Sequence, residues 1–334
     1  MENLFNFATK ELSQDAFLCW LFANYNCEQK EVRDFSRHLL AWFITDNLSQ
    51  DNIKNITNVK IKTQFKNIDI VIECKYENDN YIIVIEDKIS SNAHDQQLVR
   101  YKNTISNFYN DTYQKRFIFY KTDIIGKEEI SYLNTFNGWK IKQITEIYEA
   151  FRSFLAFNKA VDFDNEIIHY YYENLATVFN AITNRPSKVS EWGLRSWHSF
   201  FEDYVPPCGI EQGAEIRSYQ KQYYYFKFSI DGHAEDLPSI EVRSRDYNNG
   251  ILKFRIVVYN VLQSNITENS MTEWKNVLIA NEIKICNRTD IFKNKQIGVF
   301  ERAITNNNEL SLREVFNKAG NLLINLYSKK SLEE

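Results

Sequence analysis

Residues 68–89, IDIVIECKYENDNYIIVIEDKI, constrain what this chain can fold into more than any other stretch. Two near-continuous runs of β-branched apolar residues flank a short polar interruption at 77–80. That is the pattern of two buried strands joined by a tight turn. Strands of this kind fill the middle of a sheet, where a carboxylate without a partner is costly. Yet Asp69, Glu73, Glu86 and Lys88 are written into the runs.

Side chains alternate along a strand, so Asp69, Val71 and Glu73 share one face, as do Val84, Glu86 and Lys88. A turn within 77–80 that pairs Tyr76 with Tyr81, or a two-residue turn at Asn78–Asp79, puts Asp69 opposite Lys88 and Val71 opposite Glu86. Asp69 and Glu86 then become diagonal neighbours, roughly 5–8 Å apart. A slip of one residue would send them to opposite faces. Two carboxylates about 5 Å apart repel by roughly 3 kcal/mol at an effective dielectric near 20. Lys88 offsets part of this, and a divalent cation would offset more. Mg²⁺ prefers one or two carboxylates, several waters and substrate phosphate oxygens. The pattern therefore reads as a Mg²⁺ site suited to phosphodiester hydrolysis, with Asp69 and Glu86 as ligands, the alternative being a structural ion pair. Beside two carboxylates an ammonium is a poor free base. Lys88 reads instead as the group that orients water and stabilises negative charge.

Around the hairpin, helical periodicity marks segments at about 9–25 and 29–47, and strands read at 58–65, 68–76 and 81–89. A helix follows near 95–109, then strands at 116–122 and 138–144 and helices at 144–158 and 161–183. This order predicts an α/β fold with a mixed sheet flanked by helices. The first proline, Pro186, marks a change of text. Beyond it come a tryptophan-rich helix, alternating runs such as KQYYYFKFSI, SIEVRSRD and ILKFRIVVYN, and a late helix over 310–328. The expected division is a first α/β domain over 1–185 and a smaller α+β accessory domain over 186–334.

Asp69, followed after the turn by Glu86-Asp87-Lys88, resembles the D…ExK signature of the PD-(D/E)XK nuclease superfamily. Gln97 and Tyr101 in QQLVRY resemble the QxxxY helix motif that follows the signature in its RecB-like and exonuclease-like branches. Glu11, in TKELSQDAFLCWLF, is similar to the first-helix glutamate that joins the metal shell in many members. The opening helix with IEDKI and the QL.RY pattern is similar to an uncharacterised bacterial branch of that superfamily, over about residues 5–150. One departure is Ile68, where the signature often has proline. The resemblance implies the restriction-endonuclease-like fold and a DNA nuclease using Mg²⁺, with Mn²⁺ as a substitute. It implies Asp69, Glu86 and Lys88 as catalytic residues. Glu11 and the Asp87 carbonyl would add to the metal shell, and Gln97 and Tyr101 would lie on the substrate side. Restriction, antiviral defence or DNA repair is the implied setting. The alternatives are an inactive nuclease-like scaffold that binds nucleic acid or a protein, and a nuclease directed at RNA.

Composition narrows the rest. Formal net charge is −4, with 18 basic and 21 acidic residues up to position 150 and 22 and 23 after it, so neither half is a basic module. Lysines and arginines at 115, 116, 121, 140 and 142 read either as a phosphate track or as ordinary surface charge. The aromatics of YYYFKF at 223–228 could stack bases, although such strands more often pack a core. No glycine precedes Gly126, which removes an early P-loop or dinucleotide fingerprint. Five cysteines without metal-site spacing suit reduced thiols. The octet AFLCWLFA is too short to span a bilayer, so a cytoplasmic protein without membrane contact is expected. The accessory domain is the expected place for a homodimer contact.

Overall fold

The computed structural model describes residues 11–48, 55–92, 96–157, 165–208, 210–219, 221–230, 238–257, 274, 276–281, 283–285 and 296–328. The chain divides into two compact units, Met1–Asn180 and Ala181–Glu334.

In the first unit, α1 (Glu11–Ala23) and α2 (Lys30–Thr45) precede a meander of β1 (Ile56–Phe65), β2 (Ile68–Tyr76) and β3 (Asp79–Lys88). Then come α3 (Gln97–Phe108), β4 (Tyr113–Lys121), α4 (Lys127–Leu133), β5 (Trp139–Gln143), α5 (Ile144–Phe157) and α6 (Glu166–Thr183). The five strands lie in the order β1-β2-β3-β4-β5. The pairs β1–β2 and β2–β3 are antiparallel, while β3–β4 and β4–β5 are parallel, so the sheet is mixed as expected.

Both faces of the sheet are covered, which is why β2 and β3 read as continuous apolar runs. On one face, Val71, Val84, Phe117 and Phe119 pack with Leu98, Tyr101 and Ile105 of α3 and Leu133 of α4. On the other face, aromatic contacts join the strands to the remaining helices. Phe43 of α2 meets Tyr120 of β4 edge-on, and Phe17 of α1 stacks on Tyr171 of α6 at 3.9 Å.

The expected register of the hairpin is corrected. Tyr76 pairs with Asp79, Val71 with Val84 and Ile70 with Ile85. The turn is Glu77–Asn78, closed by Glu77 in the left-handed region at φ 54°. The strands are therefore displaced by two residues from the sequence reading, and Tyr81 faces Cys74. Because the side-chain period is two, this shift leaves every residue on its expected face. Asp69, one step beyond the last matched pair, comes level with Glu86 rather than with Lys88.

The second unit opens with a 3₁₀ turn at Val189–Glu191 and α7 (Leu194–Asp203). Its strands are β6 (Ile210–Tyr219), β7 (Lys221–Ile230), β8 (Ser239–Asn248), β9 (Ile251–Val257), β10 (Lys284–Ile285) and β11 (Gln296–Ala303), and α8 (Glu309–Ser328) follows. They form an antiparallel sheet in the order β10-β11-β9-β8-β7-β6. Phe226, Phe228, Val242, Phe254 and Phe300 pack with Phe200 and Phe201 of α7 and Phe316 of α8. Among the aromatics of YYYFKF, Phe226 and Phe228 are thus core. The side chains of Tyr223, Tyr224 and Tyr225 lie outside the described residues. Among the described residues, no helix is long and apolar enough to cross a membrane.

Close packing in this unit gives a direct test. A Cβ on Gly320 of α8 would lie 2.9 Å from Cδ and 3.0 Å from Cγ of Pro207. Alanine favours a helix interior by about 1 kcal/mol over glycine, whereas overpacking against a rigid ring costs about 1–3 kcal/mol. Gly320→Ala is expected to lower the midpoint of urea unfolding, against its helix propensity. A raised midpoint would show that Pro207 yields.

Candidate active site

The start of β2 and the carboxyl ends of β3 and β4 lie at one edge of the sheet. In sheets with parallel strands, ligands are commonly held beyond the strands' carboxyl ends. Here three of the sequence-selected residues come together. Glu86 is fully buried, Lys88 is 7% exposed, and Asp69 stands level with Glu86 on the adjacent strand. Directly opposed residues have Cβ atoms about 4.5–5.5 Å apart.

Asp69 is held in place from two sides. Its Oδ2 accepts the Asp87 backbone N–H at 3.1 Å, and its Oδ1 lies 3.5 Å from Nε2 of Gln64. Glu86 is not held in this way. Lys88 Nζ stands 2.5 Å from its Oε1, and no further donor reaches either carboxylate oxygen among the described residues. Burial pushes the Glu86 carboxyl up to about 8, and the neighbouring Asp69 charge adds to the rise, while Lys88 works against it. Desolvated, next to a second carboxylate and short of donors, Glu86 is in the condition that a hard cation relieves.

Asp87 projects to the opposite face. There Gln14 of α1 donates from Nε2 to Asp87 Oδ1 at 2.5 Å and lies 3.3 Å from the Lys88 carbonyl. Gln14 Oε1 in turn accepts from Thr122 Oγ1 at 2.7 Å and from the Tyr171 hydroxyl at 3.2 Å. Burial raises the Asp87 carboxyl well above the usual carboxylate range, and Asp15 of α1 reinforces it. The Asp87 carboxylate is therefore engaged by Gln14 on the face opposite Glu86. Glu11 is the first residue of α1, one turn before Gln14 and Asp15, and its side chain lies outside the described residues. Among the described residues, no group of three or more His, Cys, Asp or Glu side chains converges as a metal cage. The carboxylate pair Asp69–Glu86 still fits Mg²⁺, which takes one or two carboxylates and completes its shell with water and phosphate.

α3 lies on the Glu86 face. Gln97 donates from Nε2 to the Tyr101 hydroxyl at 2.6 Å, and that hydroxyl donates to the Asn67 carbonyl in the β1–β2 turn. Tyr101 is 2% exposed, so it is a core residue that also secures the strand carrying Asp69. Tyr101→Phe is expected to destabilise the protein by about 1–2 kcal/mol in urea unfolding, since the Asn67 carbonyl loses its donor. An unchanged midpoint would mean that water replaces the hydroxyl.

Several residues of interest resolve differently. Glu73 is tied to Lys62 at 2.5 Å and to the Tyr109 hydroxyl at 2.6 Å, away from the site. His94 lies outside the described residues. Each of the five cations after the hairpin contacts a group of its own chain. Lys115 pairs with Asp111, Arg116 donates to the Ile44 carbonyl, and Lys140 and Lys142 both pair with Asp46. Lys121 pairs with Glu129 at 2.6 Å. Sequence reasoning missed Gln14 because it sits beside an apolar stripe, where only its four polar contacts set it apart.

Residues 2–204 match the family described as the PD-(D/E)XK nuclease superfamily, and the chain belongs to it. Members of this superfamily are generally phosphodiesterase nucleases that use Mg²⁺ or Mn²⁺. No curated protein and no solved structure matches the chain.

Proposed function

We propose that this protein is a DNA nuclease that hydrolyses phosphodiester bonds with Mg²⁺, for which Mn²⁺ can substitute. The observation that carries this reading is Glu86: fully buried, with Lys88 as its one close donor among the described residues, and level with Asp69. Asp69 and Glu86 would hold the cation, with the Asp87 carbonyl and Glu11 as further oxygen donors. A bound Mg²⁺ would polarise the phosphate and lower the pKa of a coordinated water. Lys88, whose Nζ stands 2.5 Å from Glu86 Oε1, orients the attacking water and stabilises charge developing on the phosphate. Gln97 and Tyr101 steady the substrate side through α3. The accessory domain over 186–334 selects substrate, partner or oligomeric state, a homodimer included, and the protein acts in the cytoplasm.

The test is incubation of linear, circular and single-stranded DNA, and of RNA, with Mg²⁺ or Mn²⁺, beside Lys88→Ala. Cation-dependent cutting of DNA that the variant lacks is expected. Cutting of RNA alone would redirect the substrate assignment, and binding without cutting would favour a nuclease-like scaffold.

A further inference from the structure

We infer that Lys121 is a positioning residue for the cleavage proposed above, on which this inference rests. Lys88 and Lys121 are Cα partners in the parallel β3–β4 pair, so their side chains leave the sheet on the same face. Lys121 is only 1% exposed, and its ammonium donates to Glu129 Oε2 of α4 at 2.6 Å and to Asn92 Oδ1 at 3.0 Å. Asn92 lies four residues beyond Lys88, in the segment that leads from β3 to α3, whose first residue is Gln97. The backbone adds a second tie at this point, because the Thr122 N–H donates to the Lys88 carbonyl at 3.1 Å.

A buried ion pair is a poor source of stability, since apolar residues of similar volume often serve as well or better. What it supplies is direction. The Lys121–Glu129 pair fixes one amide oxygen of the segment that follows Lys88, and so braces the catalytic strand's end against α4. Shut away from solvent, Lys121 acts through that segment and not on the phosphate. A displacement of about 1 Å in a reacting group can lower a rate by about 100-fold, so such a brace has a kinetic consequence.

Lys121→Met alone would take from the buried Glu129 carboxylate its lysine, so the informative variant is Lys121→Met/Glu129→Leu, which replaces the pair by apolar side chains. Amide hydrogen exchange across residues 88–92 is expected to quicken at least tenfold, with the thermal midpoint little changed. In the same preparation, single-turnover cleavage of DNA should fall by about 10–100-fold while DNA affinity without added metal stays the same. Lys121→Arg, which keeps a cation against Glu129 and Asn92, should restore most of the rate. Unchanged exchange at 88–92, or a full cleavage rate in the double variant, would overturn the brace. Wild-type protein that cuts no nucleic acid would instead overturn the nuclease reading, and the exchange comparison would still decide whether Lys121 holds the segment.

Discussion

Titration with Mg²⁺ at pH 7 is expected to release close to one proton for each cation bound, and far less above pH 8. The source is Glu86, whose carboxyl burial and the Asp69 charge push up to about 8, from an ordinary 4.5. At pH 7 the cation-free protein holds that proton, and a bound cation must displace it, because ligands bind deprotonated. Affinity should therefore rise about tenfold per pH unit until pH 8 and then level off. The same shift fixes the sign for stability. With the folded pKa above the unfolded one, the folded protein binds the extra proton between about 4.5 and 8. The stability linked to that proton is fully present below 4.5 and is lost as pH rises through 8. Glu86→Gln should flatten this dependence, raise the cation-free thermal midpoint at pH 8 and remove the proton release. Calorimetry in buffers of different ionisation enthalpy measures the release directly; a value near zero at pH 7 would remove Glu86 from the metal shell.

The second large effect separates the two kinds of active-site residue. On the proposed assignment Asp69→Ala removes a carboxylate from the cation's shell, so Mn²⁺ affinity should fall by at least about tenfold and cleavage should disappear with it. Lys88→Ala should lower cleavage by about 10²–10⁴-fold, the range for a positioned proton-handling or charge-stabilising group. Its Mn²⁺ affinity should fall far less than that of Asp69→Ala, because both carboxylates remain, although Glu86 loses the ammonium that lowers its pKa. Electron paramagnetic resonance of bound Mn²⁺ reads the affinities independently of cleavage. Equal loss of Mn²⁺ binding in both variants would contradict the separate roles.

The hairpin shows where sequence reasoning succeeds and where it stops. β2 begins and ends where its apolar run does, and the face shared by Asp69, Glu86 and Lys88 follows from alternation alone. The register did not follow. Asn78, Asp79 and Asn80 carry the turn chemistry, but the left-handed position is taken by Glu77, a residue that rarely adopts it, and Asp79 and Asn80 join β3. α4, seven residues of KEEISYL, is too short to establish a period, yet it supplies Glu129. β6 and β11 mix glycine and charge into IEQGAEIRSY and QIGVFERA, which weakens their alternation. The role of Gln14 depends on partners from β3, from the residue after β4 and from α6, and no local pattern in the chain announces such a meeting.

The bend at Glu77–Asn78 has leverage over chemistry at the far end of the same two strands. Asp69 and Glu86 are each eight residues from it, about 25 Å of extended chain. One residue added there would turn the acid and the lysine of β3 toward α1, away from Asp69, without touching either side chain. Two added residues would return them to the proper side but slide the ladder, setting a different partner across from Asp69. Length at this remote bend, more than its composition, is what evolution or an engineer would have to keep.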